Sequence, residues 1–172
     1  VNNMMRDTFY VIDTSSFIDM GRNYPVSIFP SFWNKFEELI RHQRIGAPDI
    51  VLAELEHQDD EITSWVRTHN QKLFCDSTDL YHKVKDVLIA FPKLIDPNND
   101  REQADPFLIA MALDLINGPQ QKLGDRPKVF VVTQERYNGN KSKKTKIPQV
   151  CSYYNIPCIP LLDMISKEGW EF

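Results

Sequence analysis

The sequence predicts an α/β fold, a three-layer α/β/α sandwich built on a central parallel sheet of four or five strands. Three observations point there. Phe9-Tyr10-Val11-Ile12 is an uncharged run of β-branched and aromatic residues that ends on Asp13, with the hydroxyl residues Thr14, Ser15 and Ser16 behind it, able to start a helix. Lys128-Val129-Phe130-Val131-Val132-Thr133 is a second buried-strand pattern. Around these two, short apolar runs alternate with stretches of helical periodicity, which is the signature of βαβ units with right-handed crossovers.

In chain order, Phe29, Phe32, Trp33, Phe36, Leu39 and Ile40 recur at helical spacing, and Pro30 suits a first turn, so a helix is expected from about Ser27 to His42. Ile45-Gly46-Ala47 reads as a short strand. Pro48 is expected to open a helix reaching about Gln58, and a further helix follows from Asp60 to His69 with Ile62, Trp65 and Val66 on one face. Lys72-Leu73-Phe74 is a weak strand pattern. Ser77 or Thr78 then caps a helix running to Phe91, with Leu80, Val84, Val87, Leu88 and Phe91 as its stripe and Pro92 as its stop. The turn-rich segment Asp96 to Gln103 leads to a helix started by Asp105-Pro106 and ended by Gly118-Pro119. After the 128–133 strand come a polar loop over Asn138 to Lys146, a short helix from Pro148 to Tyr154, a strand at Ile156 to Pro160 and a helix from Leu161 to Lys167. Residues 1–8 read as a flexible leader, 9–168 as one domain and 169–172 as a C-terminal tail.

The bulk composition excludes several classes. Among 172 residues, 24 acids against 20 Lys and Arg give a net charge of -4, so no general basic field advertises a polyanion. Four acids gathered in one metal site would account for that whole excess. No apolar run approaches the roughly 20 residues of a membrane span, and the start lacks a signal-peptide pattern. Cys75, Cys151 and Cys158 are odd in number and form no C-x-x-C pair, which suits reduced thiols in a soluble cytoplasmic protein. There is no G-x-x-x-x-G-K-[ST] or G-x-G-x-x-G loop for a nucleotide.

Four carboxylates carry the chemical argument. Asp13 ends a strand, where its ordinary role would be to cap the next helix. Glu54 lies one turn from Ile50 and Val51 on the helix after Pro48, toward the apolar face, and an inward carboxylate must be paired, protonated or bound to a cation. Asp105 stands at a helix start, a place that favours the ionised form. Glu135 follows the second strong strand by two residues, at the sheet edge where Asp13 should emerge, and alone it would pass for a loop acid. Together they form an all-oxygen set without His or Cys, suited to hard Mg²⁺ or Mn²⁺, one or two per site, and to metal-assisted phosphodiester hydrolysis.

At Val11-Ile12-Asp13-Thr14-Ser15, Val51 to Glu54, Ala104-Asp105-Pro106-Phe107-Leu108-Ile109-Ala110 and Val131-Val132-Thr133-Gln134-Glu135, the sequence resembles the PIN-domain nucleases, in particular the bacterial PIN-like proteins related to toxins of toxin–antitoxin pairs. The resemblance implies a parallel sheet flanked by helices, an acidic pocket for divalent metal, and ribonuclease activity. Asp13, Glu54 and Asp105 match the family's metal-binding acids, and Ser15 and Thr133 its supporting hydroxyls. Glu135 departs from the pattern, since many members carry aspartate there, and its longer side chain suits either direct or water-mediated contact with metal. A cognate antitoxin and a homodimer are the partners the resemblance implies.

Lys141, Lys143, Lys144 and Lys146, just after Glu135, are the candidate RNA contacts, because phosphate contacts give sequence-independent affinity; a solvated surface loop is the plainer reading. His57, one turn beyond Glu54, is a weaker candidate for the same pocket. Two other readings remain open: a PIN-like module that has lost catalysis and binds RNA or protein, and a structure-specific DNA nuclease.

Overall fold

In the computed structural model, which describes residues 8–57, 61–118, 127–137, 139 and 143–172, parallel strands β1 (Thr8–Ile12), β2 (Ile45–Pro48), β3 (Phe74–Cys75), β4 (Lys128–Val132) and β5 (Cys158–Ile159) form one sheet in the order β3-β2-β1-β4-β5. The two strongest apolar runs take its centre. Thr8 through Ile12 pair in register with Lys128 through Val132, and Val11, Ile12, Val131 and Val132 are fully buried. A central strand covered on both faces leaves no room for alternation, which is why both read as continuous hydrophobic runs.

Flanking the sheet are α1 (Thr14–Asn23), α2 (Pro30–Arg41), α3 (Asp49–Leu55), α4 (Glu61–Thr68), α5 (Asn70–Leu73), α6 (Tyr81–Ala90), α7 (Ala104–Asn117), α8 (Ile147–Tyr153) and α9 (Leu161–Lys167). The chain winds outward from β1 through β2 to β3, then returns to lay β4 on the other side of β1. Right-handed crossovers therefore put α1 to α5 on one face and α6 to α8 on the other. The reversal also creates a topological switch point between β1 and β4, where the carboxyl ends of the strands leave a crevice. Beneath that crevice α7 packs on β4, β2 and β1, with α6 and α8 beside it.

Several element boundaries differ from the sequence reading. Helix α2 begins at Pro30 rather than near Ser27, and Pro48 ends β2 as the cap of α3 rather than opening the helix. Lys72 and Leu73 complete the short α5, so β3 holds only Phe74 and Cys75. A 3-10 turn at Thr78–Leu80 precedes α6, and β5 is confined to Cys158–Ile159. Asp105 does not cap α7; Gln103 holds that position, and Asp105 lies in the first turn. Residues 1–7 of the expected leader lie outside the described residues, while Thr8 already belongs to β1. The last residues pack back on the domain, with Trp170 set edge-on against Phe32 and Phe36 of α2. Among the described residues no helix is long and apolar enough to cross a membrane.

Candidate acidic site at the switch point

Asp13 leaves β1 at the crevice and takes the cap position of α1 without using its side chain as a cap. Its carboxylate turns instead across the switch point, and Oδ2 accepts hydrogen bonds from Ser15 Oγ (2.5 Å) and from Thr133 Oγ1 beyond β4 (2.8 Å). The two hydroxyls are themselves in contact at 3.3 Å, and they receive the backbone N–H groups of Gln134 (3.0 Å, to Ser15) and Glu135 (3.1 Å, to Thr133). The ends of the two central strands are thereby stitched through one buried aspartate. Ser16 adds a bond from its hydroxyl to the Val132 carbonyl at 3.1 Å.

Glu54 arrives from the last turn of α3, half-buried. One oxygen accepts from Thr14 Oγ1 (2.5 Å) and the other from the backbone N–H of Ala104 (2.9 Å), the first residue of α7. A helix N-terminus has N–H groups without intrahelical partners, so a carboxylate there is favoured by hydrogen bonding and by the helix dipole together. Asp105, one residue on, accepts from Lys144 Nζ at 2.6 Å. Glu135 accepts from Lys146 Nζ (2.7 Å) with one oxygen and from the Ile147 N–H, at the start of α8, with the other (2.9 Å). Each of the four acids named from the sequence is thus brought to the same sheet edge, and each is met by donors of this chain.

A sequence model of the DUF4411 family, described as a domain of unknown function, matches residues 10–172, a span that begins inside β1 and includes all four acids. The chain belongs to the DUF4411 family. No curated protein and no solved structure matches it.

In this DUF4411 chain the acids also feel one another. Burial pushes Asp13 up to about 6, with Asp105 and Glu135 adding to the rise and the hydrogen bonds from Ser15 and Thr133 opposing it. Burial likewise raises Asp105, helped by Glu135 and Glu54, against the pull of Lys144. Burial draws the Lys144 ammonium down, but its bond to Asp105 and the charges of Asp105, Glu135 and Glu54 carry it above the ordinary lysine value. Negative charge concentrated in a low-dielectric crevice attracts positive charge. Among the described residues, however, no three His, Cys, Asp or Glu side chains stand gathered as a ready shell for a metal ion. The positive charge here is supplied by lysine.

Of the residues expected to grip RNA, Lys144 and Lys146 lie in the acidic site, Lys143 is exposed, and Lys141 is outside the described residues. His57 is exposed and shares a cavity of about 520 Å³ with Glu54, Asn99 and Arg101. A second cavity, of about 430 Å³, is lined by Glu135, Arg136, Tyr137 and Cys158. Two participants were not singled out as site residues from the sequence. Thr14 holds Glu54, and Gln134 bridges Asp19 (2.9 Å) and the Leu161 N–H (3.0 Å), tying α1 to the start of α9. For Thr14 the available signal is a hydroxyl directly after a strand-ending acid, and for Gln134 a polar side chain between the end of a buried strand and Glu135.

Proposed function

We propose that this DUF4411 protein is a metal-dependent ribonuclease that hydrolyses RNA phosphodiester bonds. The observation that carries the reading is the convergence of Asp13, Glu54, Asp105 and Glu135, from four separate stretches of chain, at the carboxyl edge of the sheet where open α/β folds place their chemistry. The donor set fits Mg²⁺ or Mn²⁺, because every side chain in it offers carboxylate oxygen. Asp13, Glu54 and Asp105 would hold the ion, with Glu135 contributing directly or through water. When bound, such an ion lowers the pKa of a water and neutralises phosphate oxygens, which is the chemistry phosphodiester hydrolysis needs.

The chain's own residues then have defined tasks. Ser15 and Thr133 fix the Asp13 carboxylate, Thr14 and the α7 N-terminus fix Glu54, and the α8 N-terminus fixes Glu135. Arg101 lines a cavity with Glu54 and Arg136 lines one with Glu135, where Tyr137 is exposed. These groups suit a single strand that is held by its phosphates and stacked on an aromatic ring. The toxin role, with an antitoxin partner and a homodimer, rests on the resemblance to bacterial PIN-like toxins, and a small partner gene beside the encoding gene would support it. A cytoplasmic location belongs to the same reading, and the three free thiols support it.

The test is cleavage of total RNA and of single-stranded DNA, with and without Mg²⁺ or Mn²⁺, by wild type and Asp13→Asn. RNA cleavage that needs metal, leaves 5′-phosphate ends and falls at least about 100-fold in the variant is expected. Equal cleavage by both proteins would refute the reading, and preference for DNA would select the structure-specific DNA nuclease. One observation favours a second reading: Lys144 and Lys146 cover two of the acids, as they could in a module that binds RNA without cutting it. RNA binding with no cleavage under any metal would select that alternative.

A further inference from the structure

We propose that Lys144 and Lys146 are built-in counter-ions of the acidic site, and that a divalent cation gains its full ligand set only when these ammonium groups leave Asp105 and Glu135. The inference rests on the metal-dependent reading above and concerns how that same site is controlled.

The partners of the four acids divide into two kinds. Asp13 is met by the neutral hydroxyls of Ser15 and Thr133, and Glu54 by Thr14 and a backbone N–H. Asp105 and Glu135 are met by cations, at 2.6 and 2.7 Å. A divalent ion bound to the same carboxylates would stand against an ammonium group already in contact with its ligand oxygens. Two positive charges competing for one oxygen repel in a site of low dielectric, so one must withdraw.

The backbone that carries the lysines is pinned, whereas their side chains can leave. Thr145, between them, donates its N–H to the Lys93 carbonyl at 2.9 Å. Ile147 donates to Glu135, and the Lys146 N–H is held by the Gln149 side chain at 2.9 Å. The lysine side chains are 36% and 29% exposed, against 14% and 16% for their acid partners. Rotation of a flexible four-carbon stem toward water would uncover the acids without movement of α8. Once turned outward, both ammonium groups would stand at the mouth of the site, where a phosphate backbone could hold them. Polyanion and metal would then favour each other's binding, since each removes an obstacle to the other.

Calorimetric titration of Mn²⁺ into the metal-stripped full chain tests this without reference to catalysis. Lys144→Gln should bind Mn²⁺ about fivefold tighter than wild type, with Lys144→Arg close to wild type. Lys143→Gln removes one charge from an exposed neighbour on the same segment and should leave Mn²⁺ affinity unchanged. Lys146→Gln provides an independent second measurement, expected to move in the same direction as Lys144→Gln, and circular dichroism verifies folding of each variant. If wild type binds Mn²⁺ and both glutamine variants at 144 and 146 bind it no more tightly, the counter-ion role is wrong while the metal site stands. An equal gain in Lys143→Gln would also overturn it, by reducing the effect to net charge. Absence of Mn²⁺ binding in every folded variant would sink the metal-dependent reading itself.

Discussion

Asp13 is 3% exposed, and the folded chain holds it as an acid of pKa about 6 against an ordinary 3.8, chiefly because burial strips its water. A raised carboxylate favours the folded state in its protonated form. Its contribution is full below about pH 4 and is lost as pH rises through about 6. In chelator, Asp13→Asn should therefore be more stable than wild type by about 1–3 kcal/mol at pH 7.5 and no more stable at pH 4, measured by urea unfolding at both values. A neutral-pH loss instead would mean that the hydrogen bonds from Ser15 and Thr133 outweigh the desolvation of the charge. At this scale the sequence was informative, since a charge at the end of an uncharged strand can only emerge at the sheet edge. It could not say what each acid touches. Lys144 and Lys146 read as solvated or phosphate-binding because nothing local ties residue 144 to residue 105, or 146 to 135.

Elements here are joined by polar ties as well as by packing. Glu168, just past the end of α9, accepts a forked pair of bonds from Arg44 at 2.8 and 2.6 Å and a third from Tyr10 Oη at 2.7 Å. That ties the C-terminal helix to β1 and to the approach to β2, with Arg44 also donating to the Thr8 carbonyl at 3.4 Å. The cluster is largely buried, and burial together with the Glu168 charge raises the Tyr10 phenol far above its ordinary value. Removing one member leaves an uncompensated Arg44, so Glu168→Ala should lower stability by about 3 kcal/mol in chemical denaturation. A change near zero would show that the cluster is solvated. The strong strands and the α2 stripe were legible because period and composition encode them locally. The span of α7 is legible too, since Asp105-Pro106 and Gly118 mark its two ends to within a residue, but its depth of burial is not: Ala104 to Ala112 is almost continuously buried, being wedged between the sheet, α6 and α8, and a helix stretch covered on all sides carries no stripe to read. The Asp105-Pro106 start was misplaced for a related reason. Glu54, from another helix, satisfies the Ala104 N–H, and the first turn needs no side-chain cap of its own.

Across the whole molecule the face carrying α1, α2 and α4 is filled by aromatic rings. Phe36 sits 6.2 Å from Trp33, 6.0 Å from Trp65, 6.3 Å from Trp170 and 6.4 Å from Phe17, which links three helices and the C-terminal segment. Phe36→Ala should cost about 3–5 kcal/mol, visible as a lower urea midpoint and altered tryptophan fluorescence, because all three tryptophans surround the ring. A loss below about 1 kcal/mol would mean that the cluster collapses to fill the space. By itself the sequence determined the α/β class, the two central strands and the presence of four acids in an order compatible with one site. These follow from hydrophobic periodicity and from the rule that charge leaves a buried strand at its end. Only the tertiary structure decided that β4 returns beside β1. That return brings Thr133 onto Asp13 and sets the α7 N-terminus against Glu54. It also decided that two lysines turn inward onto Asp105 and Glu135. The physical reason is that these contacts join residues 11 to 120 positions apart. Their energy depends on burial and on neighbouring charge, which exist only once the sheet has closed the crevice.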